Sequence, residues 1–538
     1  MKVFEILARS LANAGQGPLF GLVGDANLYM IDSFLRDCGG RYYGAANESG
    51  AVLMALGHAS VSGKVGIASV THGPAVTNTL TALAEGVKAS LPVVLMCGDT
   101  AYHDRENLQN IAQREAILST GAGFDQVNAA ETAADDLARA IRRAYGERRP
   151  IALNIPVDIQ RREVEAEAST PLVSFSVPTI TPTGDDLDNA IGLVAAAKRP
   201  IVLAGRGATD PASREALLRL AERLEAPLAT TLKAKDLFRS EDFNLGVYGT
   251  LSTPKSVDAI MKSDCVIAFG ASLGTYTTSD GGFVKGKRVV QVMAREEDIG
   301  LRHVPDVGLV GGMKETADLF VHWLDEAEIP PSGFRAELDP KGLADHPDPA
   351  SGQQRSMGLD YVTALSRLDA LLPADRIYVT DAGRHMVKAL QYLNVNAPSD
   401  FVLTANFGSI GLGMGHANGA AAACPERTVV LTIGDGGFML GGLAEFNTAV
   451  RYGLNLVVVL CNDGSYGAEH VQLRDKQMNP AVSLFEWPEF APLAQALGGR
   501  GVQVRTLDDF DAVKSALAER DGPLLIELKL DPDHMPFY

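Results

Sequence analysis

The sequence predicts an α/β protein of three doubly wound parallel-sheet domains, and three observations carry that expectation. The chain has 538 residues, which at roughly 100–200 residues per domain suits about three. Short runs rich in Val and Ile recur along it without the alternation of a half-exposed strand, and such runs are strands buried on both faces. Each is followed by a glycine turn and then by a helical pattern, the rhythm of a parallel sheet with helices on its faces.

Two stretches divide the chain. Roughly Glu163 to Asp185 strings together Ser, Thr and Pro without helical periodicity, and Ile329 to Gln354 sets Pro330, Pro331, Pro340, Pro347 and Pro349 among Gly, Asp and Glu. Both read as linkers, so domains are expected over residues 1–165, 186–328 and 356–538. In the first, Phe4, Leu7 and Leu11 share one face of an opening helix, Val65–Val70 precedes Thr71-His72-Gly73-Pro74, and Pro92–Met96 precedes Cys97-Gly98-Asp99. In the second, Ile201–Ala204 precedes Gly205-Arg206-Gly207 and Cys265–Phe269 precedes Gly270-Ala271. In the third, Val429–Ile433 precedes Gly434-Asp435-Gly436 and Leu456–Leu460 precedes Cys461-Asn462-Asp463-Gly464. Ligands of such sheets bind beyond the carboxyl ends of the strands, where all these turns lie.

Composition narrows the function. With 48 Lys and Arg against 66 Asp and Glu the formal charge is −18, which argues against a sequence-independent grip on nucleic acid or an anionic membrane. Fifty-four glycines exceed the usual ~7% and suit close backbone approaches to a phosphate. The five cysteines are scattered, without metal spacing, and read as reduced thiols. No apolar run approaches ~18 residues, and Glu5 and Arg9 interrupt the first stretch. A soluble cytoplasmic protein is expected.

The last third carries the chemistry. A strand ending at Ile433 delivers Asp435, a helix is expected over about Gly442–Tyr452 with Leu443, Phe446, Ala449 and Val450 inward, and the returning strand delivers Asn462. Twenty-five residues separate Gly436 from Asn462, enough for one crossover helix and the next strand, so Asp435 and Asn462 emerge together. A carboxylate, an amide oxygen and a backbone carbonyl of the Asn-Asp-Gly turn, that of Gly464, are hard ligands for Mg²⁺. Gly434, Gly436 and Gly437 let the backbone approach a diphosphate. Either motif alone is read more readily as a plain turn; their joint placement reverses this in favour of the cation.

Gly434-Asp435-Gly436, twenty-five residues, then Asn462-Asp463-Gly464 resembles the signature of thiamine diphosphate-dependent enzymes, and the similarity extends over nearly the whole chain. Ala46-Asn47-Glu48-Ser49-Gly50-Ala51 resembles that family's glutamate segment, and Thr71 to Asn78 its Thr-Ser-Gly-Pro-Gly-Ala-Thr-Asn loop. Asp381-Ala382-Gly383-Arg384-His385-Met386 and Gly408-Ser409-Ile410-Gly411-Leu412-Gly413 resemble segments of acetolactate synthases. The resemblance implies that Glu48 hydrogen-bonds the cofactor's pyrimidine, that Ile410 is the wedge beneath it, and that Glu48 of one subunit meets the diphosphate site of another in a homodimer or homotetramer. It implies cofactor contacts from Gly24, Glu48, Pro74, Asn78, Asp381, Gly383, His385, Ser409, Ile410, Gly434, Asp435, Gly436, Gly437, Asn462, Gly464, Ser465 and Tyr466, and Mg²⁺ on Asp435, Asn462 and Gly464. The implied activity is that of a carboligase or lyase that decarboxylates a 2-oxo acid to an enamine and adds it to a second carbonyl. A non-ligating decarboxylase and a flavin-linked oxidase are the alternatives.

Substrate-contacting positions depart from the family pattern. Gln109 falls where acetolactate synthases place a glutamine near the reactive carbon, although its neighbours differ, and His72 replaces the usual serine. Both join Glu48 as catalytic candidates, with an imidazole bound within the loop as the structural alternative for His72. His103 lacks the adjacent histidine of pyruvate decarboxylases. In the middle third, Gly270 to Tyr276 lacks both arginines of the family's flavin segment, which leaves FAD doubtful.

Overall fold

The computed structural model describes residues 1–104, 106–165, 179–347 and 359–536. The centre of the first expected linker, 166–178, and the end of the second with the residues after it, 348–358, lie outside the described residues. Among the described residues three parallel-strand sheets of six strands each form, as the sequence predicts.

The first sheet contains β1 (Leu19–Gly21), β2 (Tyr42–Gly44), β3 (Gly66–Val70), β4 (Val93–Asp99), β5 (Gly123–Gln126) and β6 (Ile151–Pro156), in the order β2-β1-β3-β4-β6-β5. The second contains β7 (Pro200–Ala204), β8 (Leu228–Thr230), β9 (Asn244–Val247), β10 (Cys265–Phe269), β11 (Arg288–Met293) and β12 (Val307–Val310), in the order β12-β11-β10-β7-β8-β9. The third contains β13 (Ile377–Thr380), β14 (Phe401–Leu403), β15 (Val429–Gly434), β16 (Leu456–Asn462), β17 (Arg500–Val504) and β18 (Leu524–Lys529), in the order β14-β13-β15-β16-β18-β17. The first and third sheets thus repeat one topology, whereas the second has the order of dinucleotide-binding folds, with its switch point between β7 and β10. There Gly205 N–H donates to Phe269 O at 2.8 Å, and a Cβ on Gly205 would collide with Gly270 O. The two glycine turns meet backbone to backbone.

The first and third sheets belong to one compact unit, and the second sheet forms the core of another. Within the first unit the helix Glu48–Ser62 is buried continuously from Gly50 to Ala59, because it packs on its own sheet and against the equally buried helix Gly413–Ala423. Glycine makes the crossing possible: a Cβ on Gly57 would collide with His416 O, and one on Gly419 with Met54 O. Among the described residues no helix is long and apolar enough to cross a membrane.

Candidate functional site

Residues picked from the sequence gather at the carboxyl edges of the first and third sheets. In the third, β15 and β16 pair with Gly434 opposite Cys461, so Asp435 and Asn462 leave the sheet side by side. The crossover helix begins at Asp435, not near Gly442, and runs through a π-helical segment, Phe438–Gly442, into an α-helix, Leu443–Arg451. Its first two turns hold four glycines of weak helix propensity, so periodicity could not find them; tertiary packing overrides propensity here. The close packing is visible at Gly436, where a Cβ would lie 2.5 Å from the Tyr466 ring.

Asp435 is 2% exposed. Its Oδ1 accepts from the Gly436 amide at 2.9 Å, while Oδ2 is buried without a partner among the described residues. Burial, and then the neighbouring Asp463 carboxylate, push the Asp435 carboxyl up to about 7. Burial raises Asp463 as well, although its Oδ1 accepts from the Ser465 amide and hydroxyl. Two neighbouring buried carboxylates destabilise one another; Arg384 Nη1, 4.0 Å from Asp463 Oδ2, offsets part of this at Asp463, and hard oxygens at Asp435 suit a divalent cation.

A cleft of about 190 Å³ opens beside Asp435. Gly383, His385, Ile410, Gly434, Asp435, Gly436, Gly437, Ser465 and Tyr466, all expected from the sequence, line it. Burial lowers His385 to about 4, so its imidazole is neutral at pH 7, and its Nε2 is buried without a partner among the described residues. Arg384 and Asp463 also line the cleft and were not picked out. Arg384 is 7% exposed, its Nη1 donates to Pro532 O at 2.6 Å, and its Nε has no partner among the described residues. The signal available was a cation beside His385 in a segment already flagged.

Four expected cofactor contacts stand behind the cleft wall instead. Asp381 is fully buried and accepts from the amides of Gly411, Leu412 and Gly413 at 2.8, 3.1 and 3.0 Å; it anchors the start of the Gly413–Ala423 helix and thereby the Ile410 segment. Ser409 Oγ donates to Ile410 O. Asn462 donates through Nδ2 to Glu527 Oε1 at 2.7 Å, which fixes the side-chain orientation and turns Oδ1 toward the Gly464 amide, 3.2 Å away. The Gly464 carbonyl, expected on the cation, accepts from the Phe485 amide at 2.8 Å. Asp435 Oδ2 is thus the oxygen of the expected set left without a partner.

In the first sheet, Asn47 caps the Glu48–Ser62 helix by accepting from the Gly50 amide at 2.7 Å, which places Glu48 at the helix start. Asn78 Nδ2 donates to Glu48 Oε2 at 3.0 Å, so two expected contacts meet. Pro74 is exposed on the same loop, and Gly24 packs on Thr71, whose side chain a Cβ would strike. His72 is 2% exposed, with Nε2 3.8 Å from Asp25 Oδ2 and Nδ1 unpartnered among the described residues. The Gln109 backbone abuts Gly73 so closely that a Cβ there would collide with it. Gln113, missed in the sequence, holds this turn: its Oε1 accepts from the Gly73 amide at 2.7 Å, and its Nε2 donates to Gly98 O and Asn154 Oδ1. None of these first-sheet residues lines the cleft beside Asp435.

Three profiles described as thiamine pyrophosphate enzyme match in chain order: the N-terminal TPP binding domain over residues 1–120, the central domain over 187–319 and the C-terminal TPP binding domain over 381–528. The chain belongs to the thiamine pyrophosphate enzyme family. It is similar to the acetolactate synthase large subunit of Mycobacterium tuberculosis, 27% identical over 98% of this chain and 88% of that protein. It is 25% identical to the acetolactate synthase isozyme 2 large subunit of Escherichia coli, over 98% of this chain and 95% of the relative. Sulfoacetaldehyde acetyltransferase of Alcaligenes xylosoxydans xylosoxydans is 28% identical over 94% and 88%.

The residues of this thiamine pyrophosphate enzyme fit the family's cofactor. The unpartnered Nε of Arg384 is a donor suited to diphosphate oxygens, the helix start at Asp435 contributes amide dipoles, and the unpartnered Asp435 Oδ2 suits the accompanying cation.

Proposed function

We propose that the chain is a thiamine diphosphate- and Mg²⁺-dependent enzyme that decarboxylates a 2-oxo acid and joins the remaining acyl carbon to a second carbonyl compound, working as a homodimer or a pair of such dimers. The observation that carries this reading is Asp435, whose buried, unpartnered Oδ2 stands beside Asn462 at the mouth of a cleft built from the family's diphosphate segments. In this reading Asp435 and Asn462 Oδ1 hold Mg²⁺, Arg384 grips the diphosphate in the cleft that His385 also lines, and Ile410 supports the ring system. When bound, thiamine diphosphate supplies the electron sink that makes loss of CO₂ feasible.

Glu48 holds a proton at the pyrimidine, and Asn78 fixes the carboxylate that does so. His72, shielded from solvent, exchanges a proton with the reacting carbonyl, and Gln109 orients the second carbonyl. Glu48 and the Asp435 cleft lie at different sheet edges of one chain, which supports a site completed by a second copy; Leu108, fully exposed beside Gln109, and Leu440, 65% exposed, are surfaces such a copy would cover.

One observation favours the non-ligating alternative. His72 and Asp25 form a pair able to deliver a proton where ligation would instead need the acceptor carbonyl. Relatives named for different acyl-transfer reactions leave the acceptor open. Incubating reconstituted protein with a panel of 2-oxo acids, alone and with carbonyl acceptors, tests both readings. Ligation products support the first, a free aldehyde as sole product replaces it with the second, and no CO₂ release rejects both.

A further inference from the structure

Two buried glutamates that the proposed chemistry does not use cross between the first and third sheets in opposite directions. Glu445, 1% exposed on the helix that begins at Asp435, reaches the first sheet's segment: its Oε1 accepts from the Ala46 amide at 2.9 Å and the Asn47 amide at 3.3 Å. Those are the two residues before Glu48. The fit is close, since a Cβ on Gly50 would collide with Glu445 Oε1. Glu85, fully buried on the first sheet's Leu80–Ala89 helix, reaches the other way. Its Oε2 accepts from the Phe407 amide at 2.7 Å, and its Oε1 from the Asn406 amide and side chain at 3.2 and 2.6 Å. That strand of chain leads into Ser409 and Ile410.

The geometry points to Glu445 and Glu85 as reciprocal positioning residues, each sheet's carboxylate clamping the backbone that carries the other sheet's cofactor-facing residue, Glu48 or Ile410. A carboxylate accepting backbone amides in a buried setting fixes them more tightly than a neutral acceptor. Plain glue between packed elements would need neither its charge nor its place next to the two site segments. The clamp has a consequence within one chain: the Asp435–Arg451 helix starts at the diphosphate cleft and ends its reach at Glu48. If Glu48 serves a neighbouring chain's site, displacement at one site is carried to the other through Glu445.

This inference rests on the proposed roles of Glu48 and Ile410, and the test separates the two. In Glu445→Gln and Glu85→Gln, amide hydrogen exchange is followed by mass spectrometry in cofactor-free protein. In the loaded protein, exchange of the thiazolium C2 hydrogen with deuterium is read after acid quench, and the cofactor dissociation constant is read from tryptophan fluorescence. The expected result for Glu445→Gln is at least tenfold faster exchange confined to peptides spanning Ala46–Asn47, with at least tenfold slower C2 exchange. For Glu85→Gln it is faster exchange at Asn406–Phe407 and at least fivefold weaker cofactor binding. Glu445→Asp, with a shorter reach but the same charge, should recover part of the C2 rate. Unchanged C2 exchange in Glu445→Gln, while Glu48→Gln slows it, would overturn the clamp. If Glu48→Gln itself left C2 exchange unchanged, the role of Glu48 would fall first and the clamp with it. Should Glu445→Gln not fold, Glu445→Asp carries the same comparison, and a global rather than local rise in hydrogen exchange there means glue only.

Discussion

Asp435 costs the folded chain stability, which the proposed Mg²⁺ would return. Its Oδ2 is buried without a partner and the Asp463 charge repels its carboxylate, and a buried unsatisfied polar atom costs about 1–3 kcal/mol. Asp435→Asn removes the repulsion, so the cofactor-free variant should unfold at an equal or higher temperature than the parent. It should lose the stabilisation that Mg²⁺ and thiamine diphosphate give the parent, about 2.7 kcal/mol at a hundredfold excess over Kd. Calorimetry with and without both ligands reads the two effects; a cofactor-free variant of lower stability contradicts the assignment. A second residue-scale expectation concerns acid. Burial lowers His58 from 6.5 to about 4, so above pH 6.5 the imidazole is neutral folded or unfolded and contributes nothing. As pH falls below 6.5 the unfolded chain takes up a proton that the folded chain refuses, and stability drops until about pH 4. At pH 4.5 this amounts to about 2–3 kcal/mol, and His385 titrates in the same direction. Denaturant titrations at pH 7.5 and 4.5 should show His58→Gln losing less on acidification than the parent by roughly that amount. What the sequence could reveal at this scale was chemistry that keeps a local signature, such as Asp435 with Asn462. Gln113, Glu85 and Glu445 left none, because each meets a backbone amide brought near only by folding, up to about four hundred positions away in sequence.

Among elements, the crossing of Glu48–Ser62 with Gly413–Ala423 is the tightest packing and the one that carries Glu48. Because a Cβ on Gly57 would meet the His416 carbonyl rather than a movable side chain, Gly57→Ala must push the helices apart. The cost expected is about 1–3 kcal/mol or more, with cofactor affinity falling alongside stability. Gly192 is the counterpart. It lies exposed inside the helix Asp185–Ala196, with nothing near its missing Cβ, so Gly192→Ala should stabilise by about 0.5–1 kcal/mol. Denaturant midpoints of the two variants check the pair, and equal effects would mean that helix propensity alone governs both. The same contrast explains which elements could be read in advance. Strands such as Cys265–Phe269 and Leu456–Leu460 declare themselves because burial on both faces demands an unbroken apolar run. Three-residue strands such as Leu19–Gly21 and Leu228–Thr230 are too short for any period to show. The turns after Asp435 are helical only because Gly411, Gly437 and Gly441 can touch.

At the scale of the whole molecule, the first and third sheets repeat one strand order, and in the proposed reading each presents half of a site at its carboxyl edge. Lining residues of the Asp435 cleft come from the third sheet's domain, whereas Glu48, Asn78 and His72 stand on the first. If the proposed assembly is right, every site takes Glu48 from one chain and Asp435 from its partner. Glu48→Gln and Asp435→Asn homodimers are then each inactive, for different reasons. In a dimer of one chain of each kind, one site joins both substitutions and is dead, while the other joins an intact Glu48 to an intact Asp435. Unfolding and refolding an equal mixture makes half the dimers mixed, so about a quarter of the parent's sites should return. The same mixture left without refolding, and each variant refolded alone, are the controls. A chain holding complete sites of its own would recover nothing on mixing, and that single result would move Glu48 and Asp435 into one chain and remove the reason for a dimer.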